Sequence, residues 1–371
     1  MRGVAEGKIA VGDVLAEEAY LCLGCRACET ACPSGVRFGA LLEKTRALVE
    51  EAELREGWAK RIETFALRGV VPHRRRLKAL VSALGLAQRI GLDRIALLLL
   101  PRQIRELHGL LPQIPRRGER RRLPRLIPAE GERRGRVAFL EGCIMPELFG
   151  AVNAATARVL ARSGFDVVLP EAQGCCGALH AHAGDATRAR ELARANLVAF
   201  AGDFDAIIVN SAGCGAAFRE LEAWLPGEGA AVASRVRDVC EFLDEVGVRE
   251  PLRSLEARVC YDDPCHLVHG QGVEEAPRRL LRQIPGLELV PHDDPTSCCG
   301  AAGIYNLTQP RMSRAVLAPK LDALASVDPD YVATGNPGCL MQLAAGLRSR
   351  GLRARAVHPV ELLDESLSSP Q

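Results

Sequence analysis

From residue 136 onward the chain alternates short apolar runs with longer amphipathic ones. RVAFLE, DVVLP and DAIIVN are each five to six residues long, mostly apolar and followed by Gly- or Cys-containing turns. Between them NAATARVLARSG and ATRARELARANLVAF place apolar residues three and four apart, the spacing of a helix face. The order then repeats with RVCYD, LELVP and DYVATG as strands and helical runs between them. Strands alternating with helices of this length predict βαβ units and a mainly parallel sheet. Because the pattern is written twice, the expected fold is α/β, with two tandem repeats related by a pseudo-twofold axis.

The first part of the chain reads differently. LLEKTRALVEEAE has helical spacing, and LKALVSALGLAQ and IALLLL are short apolar runs broken by proline and followed by the basic stretch RRGERRRLPRLIP. We therefore divide the chain into a cysteine-bearing segment (1–52), a helical basic connector (53–135) and the repeats (136–256 and 257–371). The connector reads as a helical spacer with a solvated basic tail, or else as a docking surface for a partner subunit or an anionic membrane face. No run reaches the ~20 apolar residues of a membrane span; IALLLL at 95–100 ends at Pro101.

Composition narrows the function classes. The formal net charge is only +2, which argues against bulk nucleic-acid binding, and 48% hydrophobic with 25% charged residues describes an ordinary globular protein. The N-terminus lacks the layout of a signal peptide. Fourteen cysteines in such a chain therefore read as metal ligands in a reducing cytosol, not as disulfides. No Walker loop, Gly-x-Gly-x-x-Gly fingerprint or Ser/His/Asp arrangement is found, so no nucleotide or flavin site is expected.

The cysteines fall into two patterns. Cys22, Cys25, Cys28 and Cys32 are spaced two, two and three residues apart with Pro33 following, the run by which bacterial ferredoxins hold a 4Fe–4S cluster. Cys143, Cys175, Cys176 and Cys214 then recur as Cys265, Cys298, Cys299 and Cys339, at offsets of 122, 123, 123 and 125 residues. Four thiols per repeat suit an iron–sulfur cluster or zinc. Each stands past a predicted strand, at the sheet edge where open α/β folds bind ligands. The two remaining cysteines are expected in the core: Cys260 takes the slot of Ala138 and Cys240 that of Val360 when the repeats are aligned. His180, His182, His266 and His269 lie close to these cysteines and are read as helix-start or surface residues; Asp262/Asp263 and Asp293/Asp294 are read as turn residues.

The motifs CLGCRACETACPSGVRF, LEGC, NAATARVL, GCCGALHAHAG, SAGCGA, DDPCHLVHGQ, SCCGAAGIYNLTQP and GNPGCLMQ resemble the cysteine-rich "CCG" domain of heterodisulfide reductases and of 2-hydroxy-acid oxidase subunits. Within that group the chain resembles the iron–sulfur subunits of bacterial glycolate oxidases along essentially its whole length. The resemblance implies an electron-transfer subunit that is not itself catalytic. It would take electrons from flavin-containing oxidase subunits toward an acceptor such as quinone, in the cytoplasm or peripherally on the inner face of the cell membrane. Lactate- and glycerol-3-phosphate-oxidising complexes use related subunits. The heterodisulfide reductase version, a thiol–disulfide enzyme, has a further cysteine three residues after the last one of each repeat; Ala217 and Gln342 occupy those positions here. Members of the family usually carry an earlier ferredoxin run as well. In two-cluster ferredoxins the fourth cysteine of each run serves the other cluster, so the resemblance implies a second run upstream of Met1; without it, the four cysteines of the box would close on one cluster.

Overall fold

The computed structural model describes residues 1–93, 109, 111–120 and 122–367. Two sheets form its centre. The first has strand order β1-β3-β2-β4-β5, with β1 (Leu126–Ile127), β2 (Gly135–Leu140), β3 (Phe165–Val168), β4 (Ala206–Val209) and β5 (Val236–Asp238). The second has order β7-β6-β8-β9, with β6 (Ala257–Tyr261), β7 (Leu287–Leu289), β8 (Tyr331–Ala333) and β9 (Arg355–Val357). All pairings are parallel except β1 with β3. The two orders match strand for strand once β1 is set aside. β5, β9 and β1 are additions to the sequence reading: they are as short as β7 and β8 or shorter, and arginines interrupt the apolar runs around them.

Helices connect the strands and join the repeats. In the first repeat these are α6 (Gly150–Arg162), α7 (Ala186–Ala199), α8 (Ala212–Arg219) and α9 (Val239–Val246). The second has α10 (Cys265–Gln271), α11 (Glu275–Arg282), α12 (Pro310–Val327), α13 (Pro337–Ser349) and α14 (Pro359–Leu367). α6 packs on α14 while α11 packs on α9, the exchanged pairing of a pseudo-twofold interface. The same kind of cap opens α9 and α14. Asp238 accepts from Cys240 N with Glu241 reaching back; His358 Nδ1 accepts from Val360 N with Glu361 Oε2 reaching back to His358 N.

One face of both sheets closes on a shared core that joins Val137, Phe139, Leu160 and Phe165 to Val259, Tyr261, Leu280 and Leu363. The outer faces have their own cores, one around Ile207, Phe200 and Phe218, the other around Val332, Leu321 and Leu343. Cys240 lies in the shared core and Cys260 in the outer core of the second repeat.

Before the sheets come α1 (Asp13–Leu21), α2 (Ala27–Thr30), α3 (Phe38–Glu51), α4 (Trp58–Thr64), which runs on as a π-helical turn over Phe65–Val70, and α5 (Arg74–Arg89). Leu77 and Val81 of α5 pack with Ile114. The basic stretch departs from the solvated tail expected above: Arg120 is buried and ion-paired with buried Glu147 at 3.3 Å. The run IALLLL lies outside the described residues.

Candidate functional site

α1 delivers the chain to Cys22, and the loop to Cys32 is held open by backbone conformations that side chains rarely adopt. Gly24 (φ 67°) and Arg26 (φ 67°) are both left-handed. Arg26 is fixed there by ion pairs with Glu29 at 3.0 Å and Glu220 of the first repeat at 2.7 Å, all little exposed. Cys28 is exposed; Cys22, Cys25 and Cys32 are partly so. Backbone amides of Val36 and Ser34 draw the Cys32 thiol below its usual range, whereas burial pushes Cys25 up.

Arg46 of α3 fastens this loop to the body. Its guanidinium donates to the carbonyls of Ala19 (3.0 Å), Cys22 (2.6 Å) and His182 (2.8 Å). On the side of the second repeat, Tyr305 Oη donates to Leu21 O at 2.8 Å and Thr30 Oγ1 hydrogen-bonds His269 Nδ1 at 2.8 Å.

In each repeat the four cysteines gather at the carboxyl edge of the sheet. Cys143 follows β2, Cys175 and Cys176 lie in the loop after β3, and Cys214 stands inside the first turn of α8. Cys265 opens α10, Cys298 and Cys299 follow β7, and Cys339 stands in the first turn of α13. Three of these positions are thus within helix starts and not in the preceding turn, where free N–H groups favour thiolate charge.

The thiols fall into two matching rows, Cys143–Cys175–Cys176–Cys214 and Cys265–Cys298–Cys299–Cys339, in which neighbours shift one another's acidity. Hydrogen bonds from its two neighbours pull Cys175 well below the usual thiol range, and those from Cys265 and Cys299 do the same to Cys298. The flanking Cys143, Cys176, Cys265 and Cys299 are pushed up, first by those same bonds and then by burial. Gly300 N donates to Cys298 Sγ at 3.4 Å and Asn336 Nδ2 to Cys339 Sγ at 3.5 Å. Among the described residues no three Cys, His, Asp or Glu side chains form a group able to hold a metal ion.

The three cysteine groups are neighbours. The turn carrying Cys214 is bonded to the turn carrying Cys339 through Ala212 N to Gly335 O (3.0 Å) and Gly213 N to Asn336 Oδ1 (3.2 Å). Cys25 lies close enough to Cys298 and Cys265 for charge on one to disfavour charge on the others. Where the three groups meet, His182 and His266 lie against each other with ring centroids 5.1 Å apart. Beside them is a cavity of about 20 Å³, lined in part by Arg26, Glu43, Ala217 and Glu220, room for one water.

His180 and His266 lie in the first turns of helices, as read, but several side chains are less exposed than the sequence reading had them. His180 is fully buried, bonds Leu67 O at 2.9 Å and helps to lower Cys175, so it is no surface residue. Burial drives His266 down to about 3, which keeps its ring neutral. Asp262 and Asp263 are buried and ion-paired, to Lys320 and to Arg278 respectively. Burial outweighs the attraction of Lys320 and pushes Asp262 up to about 7. Two adjacent acids at a strand end were the visible signal; their partners, 58 and 15 residues away, were not.

By their chemistry the donor sets, four thiols in each repeat and four in the box, are those of thiolate-held iron–sulfur groups, although as they stand the described side chains do not close on a single metal ion. Comparison with known proteins agrees. Residues 137–219 and 259–344 each match the model of the cysteine-rich domain, and residues 58–111 match that of the glycolate oxidase iron-sulfur subunit linker region. The chain is 37% identical over 382 residues to the probable glycolate oxidase iron-sulfur subunit of Bacillus subtilis (strain 168), covering 99% of this chain and 86% of that one. It is 34% identical over 362 residues to the glycolate oxidase iron-sulfur subunit of Escherichia coli (strain K12), covering 93% and 81%. A match to lactate utilization protein A of Geobacillus kaustophilus (strain HTA426) is 30% identical and covers 62% of this chain and 98% of that one. With both repeats, the linker and nearly the full length matched, the chain belongs to the family of glycolate oxidase iron–sulfur subunits.

Proposed function

We propose that this chain is the electron-transferring subunit of an oxidase complex acting on glycolate. A separate flavin-containing subunit would remove two electrons and two protons from glycolate to give glyoxylate. This chain would carry the electrons onward to an acceptor such as quinone. Iron–sulfur clusters, when bound, supply one-electron storage. Cys22, Cys25, Cys28 and Cys32 would hold one of them. The rows Cys143–Cys175–Cys176–Cys214 and Cys265–Cys298–Cys299–Cys339 would hold the others, or zinc in the alternative reading. The observation that carries the proposal is the convergence of the three cysteine groups: the box is bonded to the first repeat through Arg46 and Arg26 and to the second through Tyr305 and Thr30, and the Cys214 and Cys339 turns are bonded together.

The surrounding residues do the protein's share. Arg46 and Arg26 hold the box at a fixed distance from the repeats, and the sheet edges keep water from the thiols. At the position of the fifth cysteine of thiol–disulfide enzymes, buried Ala217 lines the small cavity, and buried Gln342 is bonded to Ser313 and Asn306. This favours electron transfer over disulfide cleavage, and the linker match favours glycolate over lactate.

We place the complex in the cytoplasm, peripherally on the inner face of the cell membrane. Among the described residues no helix is long and apolar enough to cross a membrane. In support of a surface contact, the connector exposes Trp58, Ile62 and Phe65, and α5 and the residue after it expose Leu86 and Ile90 together with Arg75 and Arg76.

Purified anaerobically, the full chain should contain iron and acid-labile sulfide beyond the complement of the box. Cys176→Ser or Cys299→Ser should lower the metal content of its own repeat and leave the box occupied. The flavin-free chain should not reduce dyes with glycolate. Zinc without sulfide in the repeats, or glycolate-dependent dye reduction by this chain alone, would overturn the proposal.

A further inference from the structure

The two repeats solve one packing problem in two ways. The buried positions Ala189, Ala193 and Asn196 of α7 correspond to Ser313, Leu317 and Lys320 of α12, each 124 residues later. Alignment of Arg136–Cys143 with Arg258–Cys265 sets Leu140 against Asp262. In the first repeat, therefore, an apolar side chain and a neutral amide fill the space behind the paired cysteines. Asn196 Nδ2 donates to Cys175 O at 2.8 Å, and its Oδ1 accepts from Gly174 N at 3.0 Å.

In the second repeat the same space holds a buried ion pair. The Lys320 ammonium, wholly inaccessible, donates to the Asp262 carboxylate and to the carbonyls of Asp294 (2.6 Å) and Pro295 (3.4 Å). It ties the end of β6, three residues before Cys265, to the loop that leads into Cys298. Its charge acts directly on the thiols of Cys298 and Cys299. Nearby, Asp263 is neutralised by Arg278, and His292 lies 3.9 Å from Asp262 in the same buried cluster.

Desolvating such a pair costs several kcal/mol per ion, and apolar replacements are often no less stable. The first repeat shows that this fold closes without it. Packing alone does not account for the pair, whereas its position does. Reduction adds negative charge to a centre; the buried Lys320 ammonium, poorly screened by solvent and salt, favours that charge, and the Asp262 carboxylate, which burial pushes up to about 7, offsets it only in part.

We infer that Lys320 is a positioning residue that makes the second repeat's metal centre more readily reduced than the first, by holding a fixed positive charge behind Cys298 and Cys299. This rests on the repeats being redox centres, as proposed above. The step it tunes is a one-electron addition in which no bond is made or broken.

The test uses the full chain, purified anaerobically and titrated with dithionite under EPR, with iron measured for every variant. Lys320→Met should retain iron. It should shift the reduction equilibrium of one centre at least tenfold toward the oxidised form, ~59 mV for one electron, and leave the others in place. Lys320→Arg should restore it. The double variant Asp262→Leu with Lys320→Asn installs the first repeat's own pair and should bring the two repeat potentials together; it decides the matter if Lys320→Met loses its metal. Unmoved potentials with iron retained would overturn the inference alone. Wild-type protein with iron only for the box would instead overturn the redox reading of the repeats, and this inference with it.

Discussion

Replacing Arg46 by Met should loosen the cysteine box from the repeats. Arg46 is 6% exposed and spans three backbone carbonyls, those of Ala19 and Cys22 at the end of α1 and that of His182 in the first repeat. The last carbonyls of a helix have no partner within it, so this one side chain both caps α1 and bolts it down. Hydrogen bonds to a charged donor are worth ~1.5–3 kcal/mol each, and three would sum to ~4.5–9 kcal/mol if additive. They are not additive, since the freed carbonyls regain water as the segment lifts; loss of a buried charged partner more often costs ~3–5 kcal/mol. At ~1.4 kcal/mol per decade, that raises the population of the undocked segment by about two to three and a half decades. Hydrogen exchange of the amides from Leu21 to Val36 should accelerate accordingly, with strands β2 and β6 unaffected. The Arg46→Lys variant would keep the charge but could not reach all three acceptors, and should fall between. Exchange within threefold of wild type in Arg46→Met would refute the reasoning, because docking would then not depend on this contact.

Two further outcomes follow from local geometry. Gly300 has φ +83°, and a Cβ there would stand 2.5 Å from Ser313 O, so Gly300→Ala should cost ~2–4 kcal/mol in thermal or urea unfolding; Gly174, with open space around it, should accept Ala within about 0.5 kcal/mol. The third prediction concerns pH. Burial pushes His358 down to about 3, and its unprotonated Nδ1 caps α14. The unfolded chain therefore binds the extra proton first, and this contribution to stability is lost as pH falls from about 6.5, at up to ~1.36 kcal/mol per unit. Buried Asp238, raised to about 7, works in the opposite direction, favouring the folded state below that value. The difference between wild type and His358→Asn isolates the histidine: it should shrink by that slope between pH 6.5 and 4 in urea titrations, and a constant difference would refute the assignment.

The sequence by itself determined what repeats locally. Short apolar runs marked β2, β3, β4, β6, β7 and β8, because a sheet covered on both faces buries consecutive residues, and a period of three to four residues marked the helices between them. Aligning the repeats placed Cys240 and Cys260 in core slots, and the same alignment located the cysteine rows, since a doubled fold must double its edge positions. Strands β5 and β9 escaped because Arg235 and Arg237, and Arg353 and Arg355, interrupt their apolar runs; they are held as strands by β4 and β8 alongside. Only the tertiary structure decided that the box is bonded to both repeats, that Arg46 joins α1 to the segment of His182, and that His180 lies inside. The same holds for Lys320: on its helix it occupies a position like that of Asn196, and nothing within a turn of it signals a partner. Its charge becomes tolerable only where folding brings Asp262, 58 residues earlier, against it. Pairings of this kind rest on distance in space and on exclusion of water, and neither is written in the spacing of residues along a chain.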